Sequence, residues 1–348
     1  MTGVSATQAP VAEHGGNGAV RTGRRIRQVR ELGILLALVL LVAITTLTNP
    51  NFLSSQSVRD LLLGATLLTI LAVGQSMVII TRNVDLSVGS TLGLSAFATG
   101  TLFVSLPALP IPVVALAGVL VGTVCGAVNG ALVAAARVPA LVVTLGTLYA
   151  FRGIGHWWAA GEQINAADMP DTFLGLGRVA VLNIPAPALI ALAVVLTAGW
   201  YLGSYRSGRE LYAVGSDPQA ARLVGIPVDR RVFFPFVVNG SLAGLAGVLY
   251  AARFGTLDAT VGTGLELEVV AAAVVGGVAI FGGSGTVYGA ALGAMLLTTI
   301  GAALPMLRVD PFWQQAVVGL LIIVAIGLDR LLVLRAARRL RGGESRGA

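Results

Sequence analysis

The sequence predicts an all-α, polytopic membrane protein with about ten transmembrane helices. Of its 348 residues, 56% are hydrophobic and only 11% are charged, and the mean hydropathy is +0.87. Soluble domains carry about 25% charged residues. The chain also contains many continuous apolar runs near the length of about 20 residues that crosses a bilayer as a helix. Together these observations argue against a soluble globular fold.

The apolar runs define ten predicted spans in chain order. They cover residues 32–48, 58–80, 86–106, 111–135, 140–158, 187–203, 232–252, 265–281, 286–304 and 314–334. An even number of spans places both chain ends on the same side of the membrane. Eighteen of the 23 basic residues, all of them arginines, then fall on that side, in the two ends, at Arg82 and Arg137, and in loop 204–231. Because basic residues favour the cytosolic side, we expect both termini in the cytosol.

The chain divides into a transmembrane domain and two polar ends. Residues 1–30 are rich in Gly, Ala and Arg, which predicts a disordered cytosolic tail. Residues 31–335 form the predicted transmembrane domain, and residues 336–348 form a second cytosolic tail. No clear small-residue cleavage site accompanies the first span, so we expect an uncleaved helix there.

The third span is the least regular of the ten. It begins with polar residues, among them Asp85, Ser87 and Ser90. This start is compatible with a complete helix and also with a re-entrant or broken helix, which is tolerated where it lines an aqueous path. After the fifth span, loop 159–186 is long enough to contain a short surface helix.

Glycines recur every four residues in three of the predicted spans. They are Gly118, Gly122, Gly126 and Gly130, then Gly240 and Gly244, and then Gly289 and Gly293. Such spacing lets two helix backbones approach closely, where the hydrophobic effect cannot drive association. We therefore expect tight helix packing at these positions, with a glycine hinge as the alternative.

The residues that the sequence lacks exclude several kinds of chemistry. Without lysine there is no phosphate-binding loop and no Schiff-base chemistry. Cys125 is the single cysteine, and His14 and His156 fit no metal motif. We therefore expect no cofactor and no enzymatic activity. If the protein moves a solute with ATP, the ATPase must be another chain.

Loop 204–231 contains a predicted short helix with signals at both ends. Asp217 suits the N-cap, Pro218 the first helical position and Gly225 the left-handed position after the helix. A helix of about two turns is unstable alone in water, so it must be held by packing. The residues assigned to this element are Gly215, Asp217, Pro218, Ala220, Ala221, Arg222, Leu223 and Gly225.

Polar residues in and beside the spans are candidates for gating or for lining a pathway. Asp85 either caps the third helix near the cytosolic edge, accepting backbone N–H groups of Ser87 or Val88, or takes part in gating. Neutral side chains that could face an uncharged solute, or could instead bridge helices, are Gln75, Ser76, Asn129, Thr144, Thr147 and Asn239.

The eighth span begins with two carboxylates, Glu266 and Glu268. Acidic residues are favourable in the first turn of a helix because they interact with its dipole. Contact with a protein partner on the outer side of the membrane is the alternative.

Several motifs resemble one family of transport proteins. Residues 83–90 read Asn-Val-Asp-Leu-Ser-Val-Gly-Ser, which is similar to the signature of permease subunits of ribose-type ABC sugar importers. Further similar stretches are Asn129-Gly130, residues 138–147, Arg152-Gly153, residues 276–286 and residues 312–315. The resemblance covers about residues 32–332. Residues 82–85, 262–266 and 282–285 are most similar to the autoinducer-2 and rhamnose permeases of that family.

The resemblance implies how the protein works and what it binds. Two permease subunits would form the pathway, two ATPase subunits would bind below, and a periplasmic or lipid-anchored binding protein would deliver a sugar or sugar-like signal. Loop 204–231 would carry the cytosolic coupling helix that docks on the ATPase, and Glu266 and Glu268 could contact the binding protein. The signature residues, also gating candidates, would be Asn83, Asp85, Ser87, Gly89 and Ser90.

These implications place the protein in a bacterial cytoplasmic membrane and leave two alternatives open. One is an ABC permease for branched-chain amino acids. The other is an ion-coupled secondary carrier, which should have intramembrane carboxylates for coupling. Apart from Asp85, the predicted spans hold almost none.

Overall fold

The structure, a computed structural model, describes residues 16–177, 179–181, 184–310, 312–321, 323–325 and 327, with side chains from residue 31 onward. It is almost entirely helical. The helices are α1 (Gly16–Thr48), α2 (Ser55–Ile80), α3 (Val88–Ser105), α4 (Ile111–Ala134), α5 (Ala140–Ala159), α6 (Asp171–Leu176), α7 (Ala186–Ser204), α8 (Arg206–Ser216), α9 (Pro218–Leu223), α10 (Val228–Phe254), α11 (Leu265–Val275) and α12 (Val287–Met306). A two-residue hairpin, β1 (Ala180–Val181) and β2 (Ile184–Pro185), precedes α7.

Seven of the described helices are long and apolar enough to cross a membrane: α1, α2, α3, α4, α7, α10 and α12. Helix α5 has a comparable length of 20 residues, but Arg152 and His156 reduce its hydropathy. The predicted third span is a continuous helix from Val88 to Ser105. The surface helix expected in loop 159–186 is present as α6. The tenth predicted span and the C-terminal tail lie partly or wholly outside the described residues.

The eighth predicted span, 265–281, is wrong in length. Helix α11 has only 11 residues, or about 16 Å at 1.5 Å per residue, about half the thickness of a bilayer core. It ends at Val275 because Gly276 and Gly277 form a turn there, with Gly277 in the left-handed region at φ +89°. The hydropathy of residues 265–281 is continuous across this turn, so composition alone did not reveal the break.

The first helix also differs from expectation. Its backbone is helical from Gly16, so residues 16–30 continue the first span instead of forming an irregular tail. After Pro10 this stretch contains no proline that would end a helix. Residues 1–15 lie outside the described residues.

Helix α2 lies at the centre of the bundle and is buried along most of its length. Helices α7, α10, α11 and α12 pack around it, and α10 also packs on α3 and α4. The close approach predicted from the glycines is confirmed at α4 and α10, where a Cβ on Gly122 would collide with the Gly240 carbonyl oxygen. Thr123 and Ser241 share a hydrogen bond of 2.8 Å across the same contact. Gly276, directly after α11, and Gly289 in α12 bring these two helices together in the same way.

The two ends of the bundle are distinguished by the loops that meet there. At the end that we call the α9 end, residues 80–83, 134–139, 214–232 and 281–285 lie close together. At the opposite end, residues 164–177 contact the chain just after α10, where Ile164 and Leu257 form an antiparallel bridge. The loops therefore lie alternately at the two ends of the bundle, in the order that the predicted membrane crossings require.

Candidate functional site

Helix α9 forms as the sequence predicts. The Asp217 carboxylate accepts hydrogen bonds from the backbone N–H groups of Gln219 at 2.8 Å and Ala220 at 3.0 Å. Pro218 occupies the first helical position. Gly225 takes the left-handed conformation after the helix, with φ +82°. A helix of this length would not persist in water by itself, so these caps and the packing beneath it fix its position.

The two faces of α9 have different environments. Ala221 is only 3% exposed and packs with Val214 and Val228 beneath the helix. Leu223 is 89% exposed, and its neighbour Val224 is also exposed. Of the two alanines that the sequence assigns to this element, Ala221 therefore serves internal packing, whereas Ala220 is exposed.

A second helix in the same loop, α8, was not predicted. It buries Leu211, Val214 and Gly215 on one face, and this helical spacing was the available signal. Its Glu210 carboxylate binds Arg231 Nε at 2.7 Å on α10 and Arg206 Nε at 2.8 Å one turn earlier. The hydrogen bond from Arg231 and then that from Arg206 lower the pKa of Glu210. This carboxylate thus ties the loop to the end of α10.

Three loops of the α9 end interlock around Gly215. A Cβ on Gly215 would collide with the Ile80 carbonyl oxygen and the Gly283 nitrogen. These two atoms are themselves hydrogen-bonded at 2.9 Å. Beside them, Arg82 donates from Nε to the Phe281 carbonyl oxygen at 2.9 Å. We call Ile80, Gly215 and Gly283 the three-loop junction; it connects α8 to the end of α2 and to the loop between α11 and α12 by direct contact.

Asp85 lies inside the protein, not at its edge. It is 2% exposed, and the side-chain amide of Gln75 pairs with its main chain, donating to Asp85 O at 3.2 Å and accepting from Asp85 N at 3.1 Å. Because Gln75 precedes the end of α2 by more than one turn, the chain reverses after Ile80 and re-enters the interior. The predicted position near the cytosolic edge is therefore wrong.

The Asp85 carboxylate is held from three elements. Its Oδ1 accepts from Ser87 N at 2.9 Å and from Ser87 Oγ at 2.7 Å. Asn239 on α10 donates to Oδ2 at 3.0 Å, and Asn129 on α4 donates to Ser87 Oγ at 2.7 Å. The bond from Ser87 N is the one that the sequence predicts, but it closes a turn just before α3, whose N-cap is Ser87 and which has no side-chain cap. Buried charge is costly unless it is hydrogen-bonded in this way.

The predicted pathway residues fall mainly within this buried group. Gln75, Asn129, Thr144 and Asn239 are each at most 1% exposed. Thr144 donates to the Val84 carbonyl oxygen at 3.2 Å. Their environment favours the alternative interpretation, in which neutral polar groups bridge helices. Ser76 bonds within α2, and only Thr147 of the set is half-buried.

The remaining signature residues are also close to the start of α3. Asn83 donates to the Thr81 carbonyl oxygen at 2.9 Å, and Ser90 donates to the Ser87 carbonyl oxygen at 2.9 Å. Gly89 lies against Gly262, where a Cβ on either glycine would collide with the other's carbonyl oxygen. The signature therefore marks the place where α3 begins inside the molecule.

A non-helical segment, residues 256–264, runs back into the bundle beside α3, and its residues 259–264 form consecutive turns. Leu257 lies near Gly100, Val261 near Gly93 and Gly262 near Gly89. Gly89 and Gly100 are eleven positions apart along α3, which corresponds to about 16 Å. The segment therefore replaces the missing half of the eighth span, and α11 begins in the interior.

This segment changes the position of the two predicted carboxylates. Glu266 and Glu268 lie in the first turn of α11, as the sequence predicts. The Oε2 atom of Glu266 is buried against Gly89 and makes no hydrogen bond to a residue that the structure describes. This placement supports the first-turn interpretation. A contact with a binding protein stays a prediction.

Comparisons with known proteins identify similar transport proteins. Residues 57–326 match the family model described as "Branched-chain amino acid transport system / permease component". The chain is 37% identical to the autoinducer 2 import system permease protein LsrC of Enterobacter sp. (strain 638) over 300 residues, 86% of each chain. It is also 37% identical to the LsrC proteins of Klebsiella pneumoniae, covering 90% of each chain, and of Salmonella typhi, covering 91% of this chain and 90% of that protein. No solved structure matches the chain.

Proposed function

Since this chain belongs to the ABC importer permease family described as branched-chain amino acid transport system permease components, we propose that it carries a sugar or sugar-like signal across the bacterial cytoplasmic membrane. The cargo class follows from the relatives, which are named as autoinducer 2 import permeases. Rhamnose and ribose-type sugars are the other candidates. The chain is a multi-pass membrane protein and a transporter subunit, not an enzyme.

The proposed orientation places the α9 end in the cytosol. Five of the 23 basic residues lie in loop 204–231, and Arg82 and Arg137 lie at the same end. Basic residues concentrate on the cytosolic side of bacterial membrane proteins. Both termini would then be cytosolic, and the non-helical segment 256–264 would lie toward the periplasm.

The observation that carries the coupling role is the exposure of Leu223 and Val224 on a helix that is otherwise fixed. Large apolar side chains exposed in an aqueous loop favour contact with a protein partner. The proposed partner is an ABC ATPase whose groove receives α9. A movement of α9 would reach α2 and the loop between α11 and α12 through the three-loop junction, because Gly215 is in contact with both Ile80 and Gly283.

A second permease subunit is proposed to pack against α5. Gly146, Ala150 and Gly153 recur on an exposed face of this helix, and Cβ atoms on the two glycines would meet nothing within 4 Å. Tyr149, 70% exposed, and Trp157, 81% exposed, flank them. Small residues at helical spacing permit close packing of two membrane helices. The translocation pathway would lie between the two subunits, and a binding protein would deliver solute from the periplasm.

Reconstitution into liposomes with the cognate ATPase and binding protein tests this function. We expect uptake of rhamnose, ribose or autoinducer 2 that requires ATP hydrolysis and both partners. Uptake driven by an ion gradient without ATP would contradict the proposal and favour a secondary carrier. ATP-dependent uptake of leucine, with no uptake of the three sugar-like solutes, would instead support the amino-acid alternative.

A further inference from the structure

A polar cavity of about 560 Å³ lies beside the non-helical segment 256–264, at the end opposite α9. Its walls are the last turns of α10, residues 256–263 and the first residue of α11. This volume lies within the range of small-molecule sites, about 300–1,000 Å³. Non-helical backbone at membrane depth is tolerated where it is buried or lines a water-filled cavity. A cavity that holds water and solute would therefore explain why residues 256–264 are not helical.

Several hydrogen-bonding groups on the cavity wall have no protein partner among the described residues. Tyr250 and Thr256 make no side-chain hydrogen bond to any of them, and Asp258 uses only Oδ1 internally. Hydroxyl groups both donate and accept, and a carboxylate accepts. Phe254 and Tyr250 add two adjacent rings, with centroids 4.5 Å apart. Such a wall can bind an apolar ring face and several hydroxyl groups at once.

The wall is held in place from two sides. Leu257 and Ile164 exchange two backbone hydrogen bonds of 2.9 Å each. From α5, Arg152 Nη1 donates to the carbonyl oxygens of Val261 at 2.6 Å and Ala259 at 3.3 Å. Asp258 Oδ1 further accepts from Thr260 N at 2.7 Å. A wall fixed before binding loses little conformational freedom when a ligand arrives.

The charge of the lining limits the ligand class. Among the residues that the structure describes, no basic side chain lines the cavity and Asp258 is its single acidic group. Asp258 Oδ1 accepts hydrogen bonds from the Thr260 hydroxyl at 2.6 Å and from Thr260 N at 2.7 Å. An ionised carboxylate repels anions, so the cavity disfavours a phosphorylated sugar and gives the carboxylate of an amino acid no cationic partner. Neutral polyhydroxylated molecules suit it best.

We propose that this cavity binds an uncharged monosaccharide or similar polyol, with Tyr250, Thr256 and Asp258 bonding to its hydroxyl groups. The site would receive the solute on the side of entry, before the pathway opens toward the α9 end. This assignment rests on the proposed function and adds to it a location and a selectivity against anions. The assignment also gives the non-helical segment 256–264 a role beyond connecting α10 to α11.

Direct binding to the full-length chain in lipid nanodiscs, without other proteins, tests the site. The probes are radiolabelled rhamnose, ribose and leucine. We expect saturable binding of at least one sugar and weaker binding of leucine. Tyr250→Phe and Asp258→Asn each remove one polar interaction while keeping shape, and should weaken sugar binding about tenfold, the equivalent of about 1.4 kcal/mol. Asn at 258 retains Oδ1, so the bond to Thr260 survives.

Asp310→Asn provides the matched control. Asp310 is a carboxylate at the same end of the molecule, and its Oδ1 accepts from Phe312 N at 3.0 Å outside the cavity. Binding by this variant should equal that of the wild type. The inference is overturned if no sugar binds saturably to the folded wild type, or if both cavity variants bind sugar as the wild type does.

Uptake by the reconstituted transporter distinguishes failure of the cavity assignment from failure of the proposed function. If the wild type imports sugar with ATP and both cavity variants import it with unchanged kinetics, the cavity assignment fails and the proposed function stands. If the wild type imports no sugar-like solute with ATP, the proposed function itself fails. Reduced uptake by Tyr250→Phe and Asp258→Asn, with normal uptake by Asp310→Asn, is the expected result.

Discussion

Asn239 on α10 donates a hydrogen bond of 3.0 Å to Oδ2 of the buried Asp85, which lies between α2 and α3. Two side chains that are 154 residues apart in the sequence thereby join the start of α3 to the middle of α10. The contact matters because this carboxylate is 2% exposed and has little access to water. Its oxygens depend on protein donors.

Asn239→Ala should therefore destabilise the permease. The variant removes the donor to Oδ2 and leaves part of a buried carboxylate unsatisfied, which costs about 1–3 kcal/mol. The measurement is thermal unfolding of the purified chain in detergent. Asn83→Ala is the control, because the Asn83 side chain bonds only to Thr81 among the described residues. Equal melting temperatures for the two variants would contradict a structural role for Asn239.

Gly215→Ala should disrupt the three-loop junction. The added Cβ would collide with the backbone at Ile80 and Gly283, neither of which is a flexible side-chain end. Forced repacking of this kind costs about 1–3 kcal/mol. We expect a lower melting temperature and reduced ATP-dependent uptake. Gly203→Ala on α7 should change neither, because nothing lies within 4 Å of its Cβ position.

Leu223→Asp should weaken ATPase binding without unfolding the chain. Leu223 is 89% exposed, and exposed substitutions usually change stability by less than about 0.5 kcal/mol, whereas a buried apolar contact with a partner contributes about 1.5–3 kcal/mol. Copurification with the ATPase should fall by more than about tenfold. Ser204→Asp, an exposed acidic substitution on the same side, should copurify normally. Normal capture by Leu223→Asp would rule out this face of α9 as the docking surface.

Glu210 should make the stability of loop 204–231 sensitive to acid. Because its pKa in the folded protein lies below the ordinary value of 4.5, its ionised form stabilises the fold above pH 4.5, and that contribution is lost as the pH falls through the lower, folded value. Glu210→Gln should therefore lower the stability near neutral pH by up to about 1 kcal/mol. The difference from the wild type should shrink in acid. Melting temperatures of both proteins across an acidic pH series provide the measurement, and a difference that grows in acid would contradict the prediction.

Local signals in the sequence predicted some elements well. Helix α9 was predicted because Asp217, Pro218 and Gly225 act on their immediate neighbours, so their effect does not depend on the rest of the fold. The packing of α4 on α10 was likewise predicted from glycine spacing alone. In each case the physical cause lies within a few residues of the chain.

Other features depend on which side of a helix faces which neighbour. Gln75 and Asn129 were candidates for the pathway because polar residues in apolar helices suit either a solute or a neighbouring helix. Only the folded arrangement, which brings Asp85 back between α2 and α3, distinguishes the two uses. The half-length of α11 was missed for a related reason: Gly276 and Gly277 interrupt a run whose hydropathy does not change.

The division of α9 into an inward face and an outward face has an evolutionary consequence. Ala221 is constrained by Val214 and Val228 and can change little without damage to the fold. Leu223 and Val224 touch little of their own chain and are free to vary. If α9 docks on the ATPase as proposed, substitutions at these two positions would adapt the permease to a different motor subunit while its interior stays intact. Duplicated transporters within one cell could diverge in partner choice by this route and avoid exchanging their ATPases.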